Sequence, residues 1–263
     1  TLAPGSRQIV IQALTRSGRV TSYMLDERGK GLRALGGDII NFAPSATKEI
    51  FIPAIPHTVK KVGAKSVELP HSLRVLVPGE IDARVTVKVL SADGTFIPAG
   101  LENKLVKAGS VATLDLSPNL PASKFGIQIS SDEPLVASVF SSTLAEGKSD
   151  FIWSTAVPAL TKFTLATSGI APQLIFIGSS IRAEAELFFN NGKRKQVIIR
   201  GSEIATLKVP DGVRSVTFTK VGKGIYGAGL VATKSGYGYF PLAAGSLLTK
   251  SSVPLSNIRV LTP

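Results

Sequence analysis

The stretch Arg84–Gly94, RVTVKVLSADG, returns later in the chain as Arg182–Gly192, RAEAELFFNNG, with the same offset at both ends. In the first copy Val85, Val87 and Val89 alternate with Thr86 and Lys88. In the second Ala183, Ala185, Leu187 and Phe189 alternate with Glu184, Glu186 and Phe188. Successive side chains of a strand point to opposite faces, so a period of two describes a strand with one buried and one wet face. Each copy ends on a turn signal, Asp93-Gly94 or Asn191-Gly192, residue types that tolerate positive φ. Downstream, Val111-Ala112-Thr113-Leu114 meets Ile204-Ala205-Thr206-Leu207. A third echo, Ile52-Pro53-Ala54-Ile55 against Val157-Pro158-Ala159-Leu160, closes each unit. A shared order at domain-sized spacing implies tandem modules of one fold.

The surrounding sequence extends this reading. Leu73–Val77 and Leu174–Ile177 are matching apolar runs ahead of the two copies. Phe125, Ile127 and Ile129 alternate. Leu135–Phe140 follows after the turn residues Asp132-Glu133-Pro134. Gly and Pro punctuate short apolar runs throughout, and no long amphipathic helical window or βαβ alternation occurs. The expectation is an all-β chain of tandem antiparallel β-sandwiches of Ig-like or Greek-key type. Residues 57–160 and 161–263 each read as one module, with a linker entry at 161–168. Residues 1–56 read as the closing part of a preceding module, or as strands that complete a sandwich. Ile9–Ile11, Val20–Leu25, Ile39-Ile40 and Phe51-Ile52 are their strands, with Asp26–Gly31 a polar turn. Ile258–Leu261 reads as a final strand.

The chain of 263 residues carries 30 Lys and Arg against 18 Asp and Glu, a net charge of +12. That balance favours polyanionic neighbours or simple solubility. It has no cysteine. Disulfides, thiolate metal sites and cysteine nucleophiles are thereby excluded. No apolar run is long enough to span a bilayer as a helix. The start at Thr1 reads as a processed or trimmed end.

Few constellations point to chemistry. Two histidines, His57 and His71, stand beside prolines with Glu68 close by. A metal site needs three or four converging ligands, and these read as ordinary loop residues. With no sulfur ligand and only two histidines, no metal or organic cofactor is expected. The acid pairs Asp26-Glu27, Asp132-Glu133 and Glu184/Glu186 read as turn or wet-face residues, not as acids opposed across a cleft. Gly222–Gly227 has G-x-G-x-x-G spacing, but a strand-like run follows where a dinucleotide site needs a helix. These glycines read as strand bends. Tyr226, Tyr237, Tyr239 and Phe240 fall outside the alternating strands, and Trp153 reads as a core anchor. The candidate polyanion-binding residues are Lys193, Arg194 and Lys195 at one hairpin tip, Arg200 one strand later, and Lys60 and Lys61 near the first module's start. Exposed aromatics do not interleave with them as a specific nucleic-acid module would require.

The succession of alternating strand, D-G or N-G turn, G-S-x-A-T-L (Gly109–Leu114), further strand and V-P-A-L close resembles an uncharacterised family of actinobacterial envelope proteins, known by a domain-of-unknown-function label. The likeness spans most of Ile9 to Leu261. It implies an exported, β-rich region held to the cell envelope by a membrane anchor absent from this chain. It carries no catalytic residues. The expected function is a non-enzymatic extracytoplasmic scaffold whose partner is an envelope protein, a membrane complex or an anionic glycopolymer. A carbohydrate-active enzyme, or its glycan-binding module, is the alternative.

Overall fold

The computed structural model describes residues 23–244, apart from 31–32, 42, 117–119, 122 and 235. The expected strands at Ile9–Ile11 and Ile258–Leu261, and residues 20–22, lie outside the described residues. All regular structure described is β. A hairpin comes first, β1 (Tyr23–Lys30) and β2 (Arg33–Asn41). Then come β3 (Thr47–Ile55), the short hairpin β4 (Val59–Val62) and β5 (Lys65–Glu68), β6 (His71–Leu76), β7 (Ala83–Ser91) and β8 (Gly94–Phe96). β9 (Lys104–Val106), β10 (Val111–Asp115), β11 (Phe125–Ala145) and β12 (Lys148–Thr155) follow. The remaining strands are β13 (Thr164–Ala166), β14 (Gln173–Ile177), β15 (Ile181–Phe189), β16 (Arg194–Gly201) and β17 (Ile204–Lys208). β18 (Val213–Val221), β19 (Tyr226–Thr233) and β20 (Gly236–Pro241) complete the chain.

Strand pairing explains the repeated sequence. In the second half the sheets run β13-β18-β15-β16 and β17-β14-β19-β20. In the first half β3, the start of β11, β7 and β8 form one layer, with β9 also on β7. β10, β6, the end of β11 and β12 form the other. The two orders correspond strand for strand. β7 and β15, the strands that carry the repeated stretch, occupy equivalent places. In each half two consecutive strands (β6 and β7, β14 and β15) enter opposite layers, and the first of each pair finds its partners only further along the chain, β6 in β10 and β11 and β14 in β17 and β19. That is Greek-key crossing.

The correspondence has one break. Phe125–Ala145 is a single bent strand whose first part pairs with β3 and β7 and whose second part pairs with β6 and β12. Asp132-Glu133-Pro134, expected as a turn, is where it changes layer. The ladder to β3 shifts register there, between Ser130 and Leu135. Asp132 holds the bend by accepting the backbone N–H of Arg84 at 2.7 Å. In the second half β18 and β19 do the same work as two strands, separated by Gly222–Ile225, with Gly224 at φ 67°. The G-x-G-x-x-G spacing is therefore a corner between layers.

Alternation sets the cores. Val85, Val87 and Val89, with Leu73, Val75, Leu114, Ile127 and Val139, fill the first. Ala183, Ala185 and Leu187, with Leu174, Phe176, Ile199, Val216 and Phe218, fill the second. Burying side chains of this size stabilises by about 1.5–3 kcal/mol each.

Other details differ from the sequence reading. At the Asp93-Gly94 and Asn191-Gly192 turns only the glycines take positive φ. Asp26–Lys30 belongs to β1 and is not a turn, because Asp26 is tied by its own strand's Arg28 and by Trp153. The expected linker contains β13, paired with β18. The Pro-Ala echo is not an equivalence of place. Ile52–Ile55 lies within β3, whereas Val157–Leu160 follows β12, and Val157 N–H donates to Phe51 O at 3.0 Å. The echoing segments lie side by side.

Candidate functional sites

The tyrosines left outside the alternating strands lie in the seam between the sandwiches, whereas Phe240 packs on the second core. Tyr226 of β19 stacks on Phe51 of β3, centroids 3.7 Å apart. Leu90 and Ile177 pack with them. Ala54, Ile152 and Val157 of the first half join Ile175, Ala228, Leu230 and Tyr239 of the second in a continuous apolar cluster. Tyr239 is buried, and its hydroxyl donates to Thr155 O at 2.7 Å. Burial of the charged form pushes its pKa upward. Leu160, already part of the second core, donates its N–H to Ile225 O at 2.7 Å where the chain enters the second sandwich. These tyrosines pack the seam.

The β1–β2 hairpin docks onto both sandwiches. Trp153 donates its backbone N–H to Asp38 at 2.7 Å and its indole N–H to Asp26 at 3.0 Å. Arg28 lies over the stacked Phe140 and Phe151 rings, 4.3 and 4.5 Å from their centroids, and pairs with Asp26 at 3.1 Å. Arg74 lies 4.8 Å from the Trp153 ring centre. Asn41 donates to Tyr239 O at 3.0 Å. Trp153 is thus an anchor, as expected, and also a docking post.

Burial pushes the Asp38 carboxyl up from 3.8 to about 6, with the charges of Asp150 and Asp26 adding to the rise and hydrogen bonds from Trp153 and Ile39 opposing it. The folded protein therefore binds this proton more tightly than the unfolded chain. The resulting stabilisation is complete below about pH 3.8 and is lost as pH rises through about 6. Asp38→Asn keeps an acceptor for Trp153 but cannot ionise. The stability of this variant relative to wild type is expected to rise between about pH 4 and pH 7, measured by urea unfolding at a series of pH values. Parallel profiles would contradict the assignment.

Of the acids singled out by sequence, Glu184 and Glu186 are held in ion pairs. Glu184 meets Lys220 at 3.0 Å and Glu186 meets Arg194 at 3.6 Å, both across neighbouring strands. The basic residues are exposed as expected. Lys193 stands at the tip of the β15–β16 hairpin, and Lys195 and Arg194 point to opposite faces. Arg194 is held over Phe188 as well as by Glu186. Among the described residues, no ion pair reaches Lys193 or Lys195. Arg200 is the cross-strand partner of Arg182, and both are exposed. Sequence reading missed Arg182 here, because strand register is what sets it opposite Arg200. Lys60 and Lys61 lie on the separate β4–β5 hairpin, exposed with Lys65.

One cluster was set aside on sequence and is assembled by the fold. His57, Glu68 and His71 each offer a ligand atom, and these atoms lie within 4.8 Å of one another. His57 immediately precedes the β4–β5 hairpin, Glu68 ends it and His71 opens β6. His57 Nδ1 is 3.7 Å from Glu68 Oε1. Both atoms are buried and neither makes a hydrogen bond. His71 is fully buried, with Nδ1 2.8 Å from Ser141 Oγ and its ring edge-on to Phe125. Burial first, and the neighbouring His57 second, lower its pKa to about 4 against a smaller opposing pull from Asp115, so it is neutral at neutral pH.

Sheet order, seam and site together define an all-β protein of two like sandwiches joined through an apolar interface. The chain belongs to a family of unknown function, DUF5719, whose family model matches residues 1–195. That match ends inside β16. No curated protein matches the chain. Among solved structures, "Crystal Structure of Thermotoga maritima 1070" is similar at 14% identity with a TM-score of 0.35, covering 42% of this chain and 93% of that one.

Proposed function

We propose that the protein is a non-enzymatic scaffold of the cell envelope, outside the cytoplasmic membrane, whose exposed basic hairpins meet an anionic glycopolymer. The extracytoplasmic placement and the anchor rest on the family resemblance and agree with a chain free of cysteine.

The observation that carries the polymer reading is the Arg182–Arg200 pair. Like charges directly opposite on neighbouring strands destabilise a sheet. The next outward acid along β15, Glu184, is engaged by Lys220. A diffuse anion passing over this face would relieve the repulsion, and Arg194, on the same face of β16 as Arg200, carries the basic surface to the hairpin tip, where Lys193 and Lys195 add further exposed charge. The charges are spread over two faces and are exposed, which suits weak attraction decaying over a Debye length of about 8 Å at physiological salt.

Replacing Lys193, Arg194, Lys195 and Arg200 together with Gln tests it. The variant is expected to elute from a heparin-type anionic matrix at clearly lower salt than wild type. Its stability should change only slightly, by about 0.5 kcal/mol per exposed site. Equal elution salt would overturn the polymer reading and leave the cationic surface to solubility.

A further inference from the structure

We propose that His57, Glu68 and His71 form a binding site for one divalent transition-metal ion, with Zn²⁺ the fitting occupant, which clips the β4–β5 hairpin to the first sandwich.

The donor set is two imidazole nitrogens and one carboxylate oxygen. Zn²⁺ takes such ligands at about 2.0–2.2 Å, usually four in a tetrahedron, and three protein ligands leave a position for water. Tetrahedral ligands at that distance stand roughly 3.3 Å from each other. The His57–Glu68 separation of 3.7 Å is already close to that. The full set within 4.8 Å needs only small side-chain rotations to close.

Two features favour a metal over a plain His–Glu pair. His57 Nδ1 and Glu68 Oε1 are both buried without a hydrogen bond, an arrangement that a shared cation satisfies at once. His71 is fixed from behind. Its Nδ1 meets Ser141 Oγ at 2.8 Å, the kind of hydrogen bond from behind that sets the tautomer and orientation of a metal-binding imidazole. Oxygen-seeking ions such as Ca²⁺ and Mg²⁺ fit poorly, because two of the three donors are nitrogen.

The position gives the site a consequence. The three ligands bracket a two-stranded hairpin, stabilised at its base by Leu69 N–H donating to Thr58 O at 2.9 Å. That hairpin carries the exposed Val59, Val62 and Val67 with Lys60, Lys61 and Lys65. An isolated two-stranded hairpin is marginal alone. A metal at its root would fix how it stands on the sandwich.

The test uses the full chain stripped with chelator and titrated calorimetrically with Zn²⁺ alone. Wild type is expected to bind one ion. His57→Ala and Glu68→Gln, chosen because neither residue is in the core, are each expected to weaken binding at least tenfold. Co²⁺ in place of Zn²⁺ should give the intense visible absorption of a tetrahedral site in wild type and lose it in both variants. Amide exchange across Val59–Glu68 should slow on adding Zn²⁺. Absence of stoichiometric binding in wild type would overturn the proposal. So would binding that both variants retain unchanged, since the ion would then lie elsewhere. Circular dichroism of each variant establishes that it is folded before its titration is read.

Discussion

Phe51→Ala is expected to destabilise the protein by about 3–5 kcal/mol, the usual cost of removing a buried phenylalanine ring. Phe51 sits against Leu90 and Ile177 and stacks on Tyr226, so its loss opens a cavity in the seam and in no single core. Roughly 0.5–1.5 kcal/mol of the effect belongs to the ring pair itself. A double-mutant cycle with Tyr226→Ala isolates that part. The seam has little room to collapse into the hole. At Gly126 on β11 an added Cβ would already stand 2.7 Å from Ile177 Cγ2, which shows how closely the Ile177 side chain packs on the β11 backbone. Denaturant unfolding of the single and double variants measures both quantities. A loss below about 1 kcal/mol for Phe51→Ala would mean that the seam contributes little to stability.

Trp153→Ala is the second large effect, again about 3–5 kcal/mol. Trp153 is 5% exposed, takes part in the Arg74 and Phe140 contacts, and donates to Asp26 and Asp38. The backbone N–H to Asp38 survives the substitution. The indole donor and the ring do not. The β1–β2 hairpin should therefore lose amide protection before the rest of the molecule unfolds, and the Asp26 carboxylate is left with Arg28 as its partner. Trp153→Phe keeps most of the packing and should cost less, about 1–3 kcal/mol, the penalty for the unpaired acceptor and the smaller ring. Hydrogen exchange resolved along the chain distinguishes the two variants. Unchanged protection of β1 and β2 in Trp153→Ala would contradict the docking role.

The repeated stretch Arg84–Gly94 and Arg182–Gly192 made the sandwich fold legible, because a period of two with a terminal glycine turn is a local property of strand and solvent. The Gly222–Gly227 corner and the exposed basic tips were legible for the same reason. What was not legible depends on register and on distance along the chain. Phe125–Ala145 read as two strands because Asp132-Glu133-Pro134 carries turn residues, yet a strand that changes layers needs the same irregularity. Tyr226 and Tyr239 looked surplus because their partners, Phe51 and Thr155, lie far back in the sequence. Arg182 faces Arg200 only once β15 and β16 are paired. His57, Glu68 and His71 were within reach of one another in the sequence, but only the β4–β5 hairpin turns the chain back to bring His57 against the other two.

The apolar seam that joins the two sandwiches is tested most directly by a distance between them. The chain has no cysteine, so two introduced cysteines can be spin-labelled without background. Asp93 and Asn191, exposed at equivalent hairpin tips of the two halves, are suitable positions. One narrow distance distribution is expected for the protein, broadening when Phe51→Ala is added. A broad or multimodal distribution in the unaltered background would show that the sandwiches move independently and would contradict a seam that joins them.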